Sequence, residues 1–395
     1  MIMDLLRKNL KYLNSYENII IIIDKFLKHI DSKVASILDK ALSLKDINDE
    51  EALTLFECEG LELWLTVLCA DYLRWLSVGD VVTFVINRNI NYTNYCIIGC
   101  RFCAFSKSIE KESYTLSINE VLKKVEEAWK KGATEVCIQG GINPKLPPEY
   151  YINIVKEIKR RYPHIHIHAY SPQEIHHIAK IMNVNYREVL KMLKEYGLDS
   201  IPGTAAEILD DEIRKIICPN KINTKTWIEI IRTAHSLDIK STATIMYGHV
   251  EKNVHRVKHL RIIKDIQRET KGFTEFIPLP FIHHKTKLYL EGKARPSSSG
   301  IEDIKMHAIA RIYLNNYIKN IQASWVKLGI KLVQVLLYAG CNDVGGTLME
   351  ENISRAAGPT YGTSLSVDEM VRIIRNVNRI PAQRDTLYRI LKIYV

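Results

Sequence analysis

A regular alternation of β-rich runs with amphipathic helices is the feature that most constrains this 395-residue chain. From Val81 onward, short runs rich in Val, Ile and Thr alternate with segments in which apolar residues recur every three or four positions. Such a chain is expected to form a parallel sheet, because each helix returns the chain to the start of the next strand. The predicted strands span residues 82–86, 135–139, 164–169, 199–202, 241–247, 274–278, 322–325 and 343–345.

Capping signals mark the helices between these strands. Ser117 followed by Glu120 forms a capping box, and Gly132 ends that helix because glycine adopts a left-handed backbone without strain. Asn185 and Glu188 start another helix in the same way. The eight strand–helix pairs favour an α/β fold, a closed (β/α)8 barrel of the TIM type, over an open doubly wound sheet, which stays possible.

The chain divides into three predicted segments. Residues 1–78 carry leucines too dense for a surface stripe and no β-rich run, so they are expected to form an N-terminal helical cap. Residues 79–380 hold the barrel. Residues 381–395 follow it and are predicted to be a C-terminal tail.

Composition excludes several classes of protein. Apolar residues make up 47% and charged residues 25%, as in folded globular chains rather than disordered or fibrous ones. The longest aliphatic run, 19–23, is far shorter than the ~20 residues that cross a bilayer, and the charged residues among the first leucines lead us to expect no secretory signal. We therefore expect a cytoplasmic protein without a membrane span. The net charge of +10 permits an acidic partner such as RNA, but the basic residues are scattered along helices, so no nucleic acid is expected.

Three of the eight cysteines are crowded into one segment. Cys96, Cys100 and Cys103 have the spacing C-x3-C-x2-C and follow the first predicted barrel strand, where barrels of this type carry their functional loops. Thiolates favour iron–sulfur clusters, zinc or copper(I), and three on one loop can each hold a different iron of a cubane. A structural zinc ion would need a fourth donor, and the sequence has no second cysteine pair to supply it. Zinc therefore stays the weaker alternative.

This cysteine spacing, with Phe102 between the last two cysteines, resembles the radical S-adenosylmethionine enzymes. The resemblance implies that Cys96, Cys100 and Cys103 hold one 4Fe–4S cluster, whose open iron binds the amino and carboxylate groups of S-adenosylmethionine. One electron from the reduced cluster then frees a 5′-deoxyadenosyl radical, and the protein contributes positioning and exclusion of water. A radical SAM barrel is the fold that this resemblance implies.

Further segments narrow the family. The resemblance to the second subunit of deazaflavin (FO) synthase rests on residues 87–94, 139–144, 166–172, 202–207 and 342–352. It implies transfer of the 4-hydroxybenzyl group of L-tyrosine to 5-amino-6-(D-ribitylamino)uracil, with 2-iminoacetate, 5′-deoxyadenosine and methionine as co-products, in the deazaflavin coenzyme pathway of methanogens. FO synthase subunit 1 and an electron donor are the implied partners.

Two menaquinone-pathway enzymes, aminofutalosine synthase and dehypoxanthine futalosine cyclase, share the cysteine segment and the barrel and stay as alternatives. Residues 202–207 and 347–358 resemble the deazaflavin enzyme more closely. Cys341 stands where the family leads us to expect alanine, and Tyr95 is a second small departure. Neither position is an expected cluster ligand.

The resemblance also implies contacts to S-adenosylmethionine. The implied residues are Phe102, Gly140, Gly141, Ser171, Glu174 and Glu207. The Phe102 backbone would approach the adenine, the two glycines the methionyl amino group, and Glu207 the ribose hydroxyls. Ser171 and Glu174 also form a complete capping box around Pro172, so helix capping is their structural alternative.

Strand alternation supplies candidates for contact with tyrosine or the uracil. Gln139, His168 and Thr244 are predicted to face the barrel lumen, and Asn342 and Asp343 lie on the eighth strand. The last two offer the donors and acceptors that a uracil edge or ribityl hydroxyls need. Lumenal polar residues that satisfy one another are the alternative.

Two other classes of function stay open. An RNA-modifying radical enzyme would fit the positive charge and would bind its substrate in a strongly salt-dependent way. A non-enzymatic iron–sulfur or zinc protein would bind metal without cleaving S-adenosylmethionine.

Overall fold

The computed structural model describes residues 10–358 and 361–395, so residues 1–9 of the predicted helical cap lie outside the described residues. The helices are α1 (Leu10–Leu27), α2 (Ser32–Leu42), α3 (Asp49–Glu57), α4 (Gly60–Val78), α5 (Ile118–Lys130), α6 (Pro148–Arg161), α7 (Pro172–Met182), α8 (Tyr186–Glu195), α9 (Asp211–Ile217), α10 (Thr224–Ser236), α11 (Asn253–Thr270), α12 (Lys287–Leu290), α13 (Gly300–Leu314), α14 (Trp325–Leu336), α15 (Ile353–Ala357) and α16 (Val367–Arg375). The strands are β1 (Val81–Val85), β2 (Asn87–Ile90), β3 (Glu135–Ile138), β4 (His166–Ala169), β5 (Ser200–Ile201), β6 (Lys240–Tyr247), β7 (Phe273–Pro280), β8 (Asp343–Gly346), β9 (Ile380–Arg384) and β10 (Ile390–Ile393).

The strands form a barrel from two sheets. One sheet is parallel and has the order β2-β3-β4-β5-β6-β7, and the other has the order β10-β9-β1-β8. Only Ile86 separates β1 from β2, so this stretch of chain joins the two sheets on one side. On the other side, parallel bridges connect Phe276 with Ile321 and Gln322 with Asp343, which links β7 to β8. The TIM-type barrel predicted from the alternation is therefore confirmed.

One predicted strand is wrong. Residues 322–325 do not form a strand, because the extended chain is limited to the bridges at Ile321 and Gln322 and helix α14 begins at Trp325. The Trp325 indole donates to the carbonyl of Gly346 at 2.9 Å, which holds the start of this helix against β8. Trp325 is an aromatic residue of the kind enriched in strands, but the tertiary contact sets the conformation of this stretch.

The chain end, predicted to be a tail, contains β9 and β10. Strand β9 pairs in parallel with β1, from Val81 opposite Ile380 to Phe84 opposite Gln383. Strand β10 pairs with β9 in the antiparallel direction. No local pattern predicts β9, because Pro381 and polar residues interrupt any apolar period.

The chain end also closes the barrel where the strands begin. Arg384 donates through Nε to Asp343 of β8 at 2.6 Å and lies 3.6 Å from Glu275 of β7. Thr386 donates its hydroxyl to Glu135 of β3 at 2.7 Å. All five side chains are buried, so their mutual pairing offsets the cost of removing these charges from water.

The helices of the N-terminal cap pack outside the barrel. Helix α4 packs on α13 and α3 packs on α11, while α1 and α2 pack on α4. A buried charge cluster fastens this cap to the C-terminal region: Asp71 accepts from Arg74 at 2.7 Å and from Arg379 at 2.9 Å. Within the described ranges, no helix has both the length and the apolar character that a bilayer crossing requires.

The predicted capping boxes are confirmed. The Ser117 hydroxyl accepts from the Glu120 N–H while the Glu120 carboxylate accepts from the Ser117 N–H, and Asn185 and Glu188 make the same exchange. Gly132 follows α5 with a φ of 80°, as the left-handed stop requires. These local signals place the helices so that the loops after the strands gather at the opposite end of the barrel from Arg384.

Candidate active site

The loop between β2 and α5 carries the three predicted cluster cysteines into one cavity. Cys96, Cys100 and Cys103 are all half-buried and line a cavity of about 330 Å³ at the end of the barrel where the strands finish. The loop is anchored by backbone hydrogen bonds, including the donation from Arg101 N–H to the Ile217 carbonyl at 2.8 Å. The sequence spacing therefore brings three thiols to a shared space with a defined backbone.

The donor set fits a cubane cluster better than a single ion. Within residues 10–358 and 361–395, no three His, Cys, Asp or Glu side chains converge as they would around one metal ion. A cubane places one cysteine at each of three irons, so its ligands need not meet at a point. Burial raises the pKa of the Cys100 thiol, and the nearby Lys221 ammonium opposes this shift and favours the thiolate that iron binds.

The two glycines after β3 have packing reasons of their own. A side chain at Gly140 would place its Cβ 2.5 Å from the Tyr92 ring, and one at Gly141 would overlap the backbone of Tyr95, next to Cys96. Both glycines line the cavity. Their lack of a side chain lets the cysteine loop press against the end of β3, and the predicted contact with the methionyl group stays a prediction.

Glu174 holds this end of the barrel together. Its Oε1 accepts from the Tyr92 hydroxyl at 2.8 Å and from the Gly140 N–H at 3.0 Å. Its Oε2 accepts from the N–H and hydroxyl of Ser171, which completes the predicted capping box. Burial raises the pKa of Glu174, although these four donors favour the charged form. Ser171 and Glu174 line the cavity, but a carboxylate with four donors has little capacity left for a ligand.

Glu207 has a half-buried cationic partner that sequence reasoning missed. Its carboxylate lies 2.5 Å from the Lys221 ammonium, which in turn lies 5.3 Å from the centre of the Phe102 ring. Burial raises the pKa of Glu207, but Lys221 together with the more distant Arg214 and Lys327 holds this pKa below its ordinary value. The backbone of Glu207 has a φ of 47°, a left-handed conformation that turns the chain after β5 into the cavity. Phe102, Glu207 and Lys221 therefore form one wall beside the cysteines.

Only one of the three predicted lumenal substrate residues lies on this cavity. Gln139 lines it and accepts from the Thr204 hydroxyl at 2.9 Å. His168 lies deeper in the barrel, where its Nδ1 is 2.7 Å from the Ser200 hydroxyl oxygen. Thr244 donates its hydroxyl to the backbone of the loop after β5. His168 and Thr244 do face the lumen, as alternation predicted, but protein groups satisfy them.

Asn342 and Asp343 lie at the closed end of the barrel, away from the cavity wall. Asn342 accepts through Oδ1 from Arg311 and from the Ile321 N–H, each at 2.9 Å. Asp343 accepts from the Thr83 hydroxyl at 2.5 Å, in addition to Arg384. The sequence placed Asp343 on the eighth strand correctly, but β8 begins at Asp343 and Asn342 precedes it, so both residues stand at the wrong end of that strand for contact with a ligand. Their role in uracil binding stays a prediction that their position does not support.

Lys327 and Glu351 also line the cavity and were not predicted from the sequence. Lys327 is the third residue of α14, and Glu351 precedes α15. Nothing in the local pattern separates this lysine from the many lysines on exposed helix faces. Only the closing of the barrel brings it to the cavity.

Comparison with known proteins places this geometry in a family. Residues 90–263 match the Radical SAM superfamily, and residues 270–394 match the CofH/MqnC C-terminal region. The 5-amino-6-(D-ribitylamino)uracil–L-tyrosine 4-hydroxyphenyl transferase of Methanocaldococcus jannaschii is 54% identical over 352 residues, which is 88% of this chain and 98% of the relative. The enzyme of the same name from Methanothermobacter thermautotrophicus is 46% identical over 362 residues, with 91% and 98% covered.

The chain is also similar to a longer relative and to two solved structures. The FO synthase of Mycobacterium tuberculosis is 50% identical over 344 residues, which is 87% of this chain but 40% of that protein. Methylornithine synthase (PylB) superposes with a TM-score of 0.69 at 17% identity, covering 88% of this chain and 97% of that one. HydG, a maturase of the [FeFe]-hydrogenase, superposes with a TM-score of 0.70 at 18% identity, covering 93% and 79%. At these identities the two structures show the fold alone.

The three thiols on the loop after β2 line a cavity of about 330 Å³, and relatives of about 50% identity match most of the chain. The chain belongs to the radical SAM superfamily and, within it, to the family of the 5-amino-6-(D-ribitylamino)uracil–L-tyrosine 4-hydroxyphenyl transferases.

Proposed function

We propose that this chain transfers the 4-hydroxybenzyl group of L-tyrosine to 5-amino-6-(D-ribitylamino)uracil. The co-products are 2-iminoacetate, 5′-deoxyadenosine and methionine. The observation that carries this proposal is the 54% identity to the M. jannaschii transferase over 98% of that protein's length. The same observation favours the deazaflavin reaction over the two menaquinone-pathway reactions, and so does the resemblance of the segments 202–207 and 347–358 to the deazaflavin enzyme.

The cavity supports a set of cofactor contacts. Cys96, Cys100 and Cys103 would hold one 4Fe–4S cluster, and Phe102 and Glu207 would flank S-adenosylmethionine beside it. The bound cluster and S-adenosylmethionine would supply a 5′-deoxyadenosyl radical on reduction. Gly140, Gly141, Ser171 and Glu174, which also line the cavity, complete the proposed contacts.

The chain's own residues contribute positioning and exclusion of water. Glu174 ties the loops after β2, β3 and β4 to one another, so the walls keep a fixed spacing. The cavity is lined on its apolar side by Met246, Leu279 and Phe281. At the other end of the barrel, where the strands begin, the buried pair of Arg384 and Asp343 closes the lumen. Such an enclosure protects a reactive carbon radical from solvent and aligns the reacting groups.

The partners follow from the same proposal. The M. tuberculosis protein named FO synthase is a longer chain of which this chain matches 40%, which supports a second catalytic unit, FO synthase subunit 1, acting with this one. An electron donor must reduce the cluster. All eight cysteines are free, which supports a reducing, cytoplasmic setting, and the proposed substrates are small molecules rather than nucleic acid.

The test is an anaerobic product assay. The purified chain is reconstituted with iron and sulfide, reduced with dithionite, and incubated with S-adenosylmethionine and L-tyrosine, with and without the uracil. We expect a uracil-dependent hydroxybenzyl adduct by mass spectrometry, together with 5′-deoxyadenosine. Formation of 5′-deoxyadenosine without an adduct would move the substrate assignment to the menaquinone relatives. An intact cluster that yields neither product would overturn the enzyme proposal.

A further inference from the structure

The charged side chains on the cavity wall are not all paired. These side chains are Glu174, Glu207, Lys221, Lys327 and Glu351. Glu174 is occupied by four donors, and Glu207 and Lys221 form an ion pair. Lys327 and Glu351 are left with capacity to bind a charged ligand.

Lys327 faces the cavity without a protein partner. Its ammonium makes no hydrogen bond or ion pair with any residue in the described ranges, although the side chain is half-buried. It also lines an adjoining cavity of about 440 Å³ beside the end of β7, so it stands where the two spaces meet. Burial lowers the pKa of Lys327, and Glu351 followed by Glu207 opposes that shift. A partly desolvated ammonium on a cavity wall is a strong site for an anionic ligand group.

Glu351 is the carboxylate that acts most strongly on Lys327. It is 6% exposed, and its Oε2 accepts from the Ser354 N–H at 2.9 Å, the one hydrogen bond that its carboxylate makes within the described ranges. Its backbone is held as well, because its N–H donates to the Thr363 carbonyl. One carboxylate oxygen is therefore available to a cationic ligand group in the cavity that the unpaired ammonium also lines.

An ammonium and a carboxylate presented together match the zwitterion of an α-amino acid. Of the three reactants in the proposed function, the ribitylaminouracil has no carboxylate. S-adenosylmethionine has both groups, but the family resemblance assigns them to the open iron of the cluster. L-Tyrosine is the remaining zwitterion.

We propose that Lys327 binds the carboxylate of L-tyrosine and that Glu351 binds its ammonium group. This assignment rests on the proposed function and specifies the substrate subsite of that reaction. Because 2-iminoacetate retains the carboxylate and the nitrogen of tyrosine, the same pair would hold this product after the 4-hydroxybenzyl group has left. The subsite would thereby orient the side chain of tyrosine away from Lys327 and into the barrel.

Binding measurements with truncated ligands test each contact separately. L-Tyrosine, tyramine, which lacks the carboxylate, and 3-(4-hydroxyphenyl)propionate, which lacks the ammonium group, are compared by anaerobic equilibrium dialysis against the cluster-loaded enzyme with S-adenosylmethionine. The wild type should prefer tyrosine to each analogue by about 10- to 100-fold, the range expected for one charge-assisted contact. Lys327→Met should abolish the preference over tyramine and keep the preference over the propionate. Glu351→Gln should do the reverse.

Controls separate this proposal from folding effects and from the proposed function. Lys331→Met changes an exposed lysine four residues further along the chain, beyond the kink that Gly329 makes in α14, and should leave both preferences unchanged. Lys327→Arg keeps the charge and should retain part of the preference over tyramine. If Lys327→Met keeps the full preference, or weakens S-adenosylmethionine instead of tyrosine, the assignment of Lys327 is overturned. If the wild type binds no tyrosine while S-adenosylmethionine binds, the proposed function falls together with the subsite.

Discussion

The two ends of the barrel use the same kinds of polar side chain for opposite purposes. At the end where the strands begin, Glu135, Glu275 and Asp343 are buried and meet donors from the C-terminal segment, chiefly Arg384. At the end where the strands finish, three thiols and Lys327 face a cavity. A polar residue in the lumen therefore indicates ligand binding only where no other group of the protein already pairs with its side chain.

The largest effect should come from the cysteines at the open end. Replacing Cys100 by Ala should abolish the cluster's absorbance and the formation of 5′-deoxyadenosine while the fold survives, because this half-buried thiol lines the cavity and the substitution removes a single atom. Anaerobic absorption spectra, product analysis and circular dichroism measure the three properties. Cys58→Ala, in the N-terminal cap, is the matched control and should load the cluster normally. A Cys100→Ala variant that still cleaves S-adenosylmethionine would remove the cysteine assignment.

At the closed end, the corresponding change should affect stability and not the cluster site. Arg384→Met leaves Asp343 and Glu275 buried without their cation, which should lower the free energy of unfolding by about 3–5 kcal/mol. Urea denaturation of the apoprotein measures the loss. Adding Asp343→Asn to this variant should recover part of the stability, since it removes one of the uncompensated charges. A change below ~1 kcal/mol would show that solvent reaches this end of the barrel.

The burial of His168 in the barrel lumen can be tested by measuring the free energy of unfolding as a function of pH. Burial lowers the pKa of His168 to about 4, although Glu135 partly opposes the shift. The pKa of His168 in the folded protein is below its unfolded value of ~6.5, so the unfolded chain takes up the proton first as the pH falls. The stability that the neutral His168 contributes is therefore fully present above pH 6.5 and is lost as the pH falls towards 4. Between those pH values, the wild type should lose on the order of 3 kcal/mol more than His168→Asn, measured by urea denaturation. His29→Asn, at an exposed position, should follow the wild type. A pH-independent difference between wild type and His168→Asn would mean that His168 is hydrated.

The smallest effect should come from the paired carboxylate of the open end. Glu207→Gln should weaken S-adenosylmethionine binding by about 10-fold, because a neutral amide is a poorer acceptor for the ribose hydroxyls. Tyrosine affinity should stay unchanged. Both affinities are measured by equilibrium dialysis of the cluster-loaded enzyme. Unchanged affinity for S-adenosylmethionine would leave Glu207 as the partner of Lys221 alone.

Local patterns predicted the parts of the site that lie close together in sequence. Cys96, Cys100 and Cys103 share one loop, and Ser171 and Glu174 share one helical turn, so a short segment contains their geometry. Lys221 follows α9, far along the chain from the cysteine loop, and no local period marks it as the partner of Glu207. Lys327 could not be predicted for the same reason, because no local period marks it as a residue of the cavity.

The amino-acid sequence by itself determined the alternation of strands and helices, the capped helix starts and the three-cysteine loop, because each depends on interactions within a few residues. Only the tertiary structure decided which polar side chains of the lumen are available. Arg384 joins β8 to the chain end, and Glu351 reaches the cavity beside Lys327, through contacts between segments distant in sequence. Burial and pairing of charges are properties of the closed barrel, and no short segment contains them.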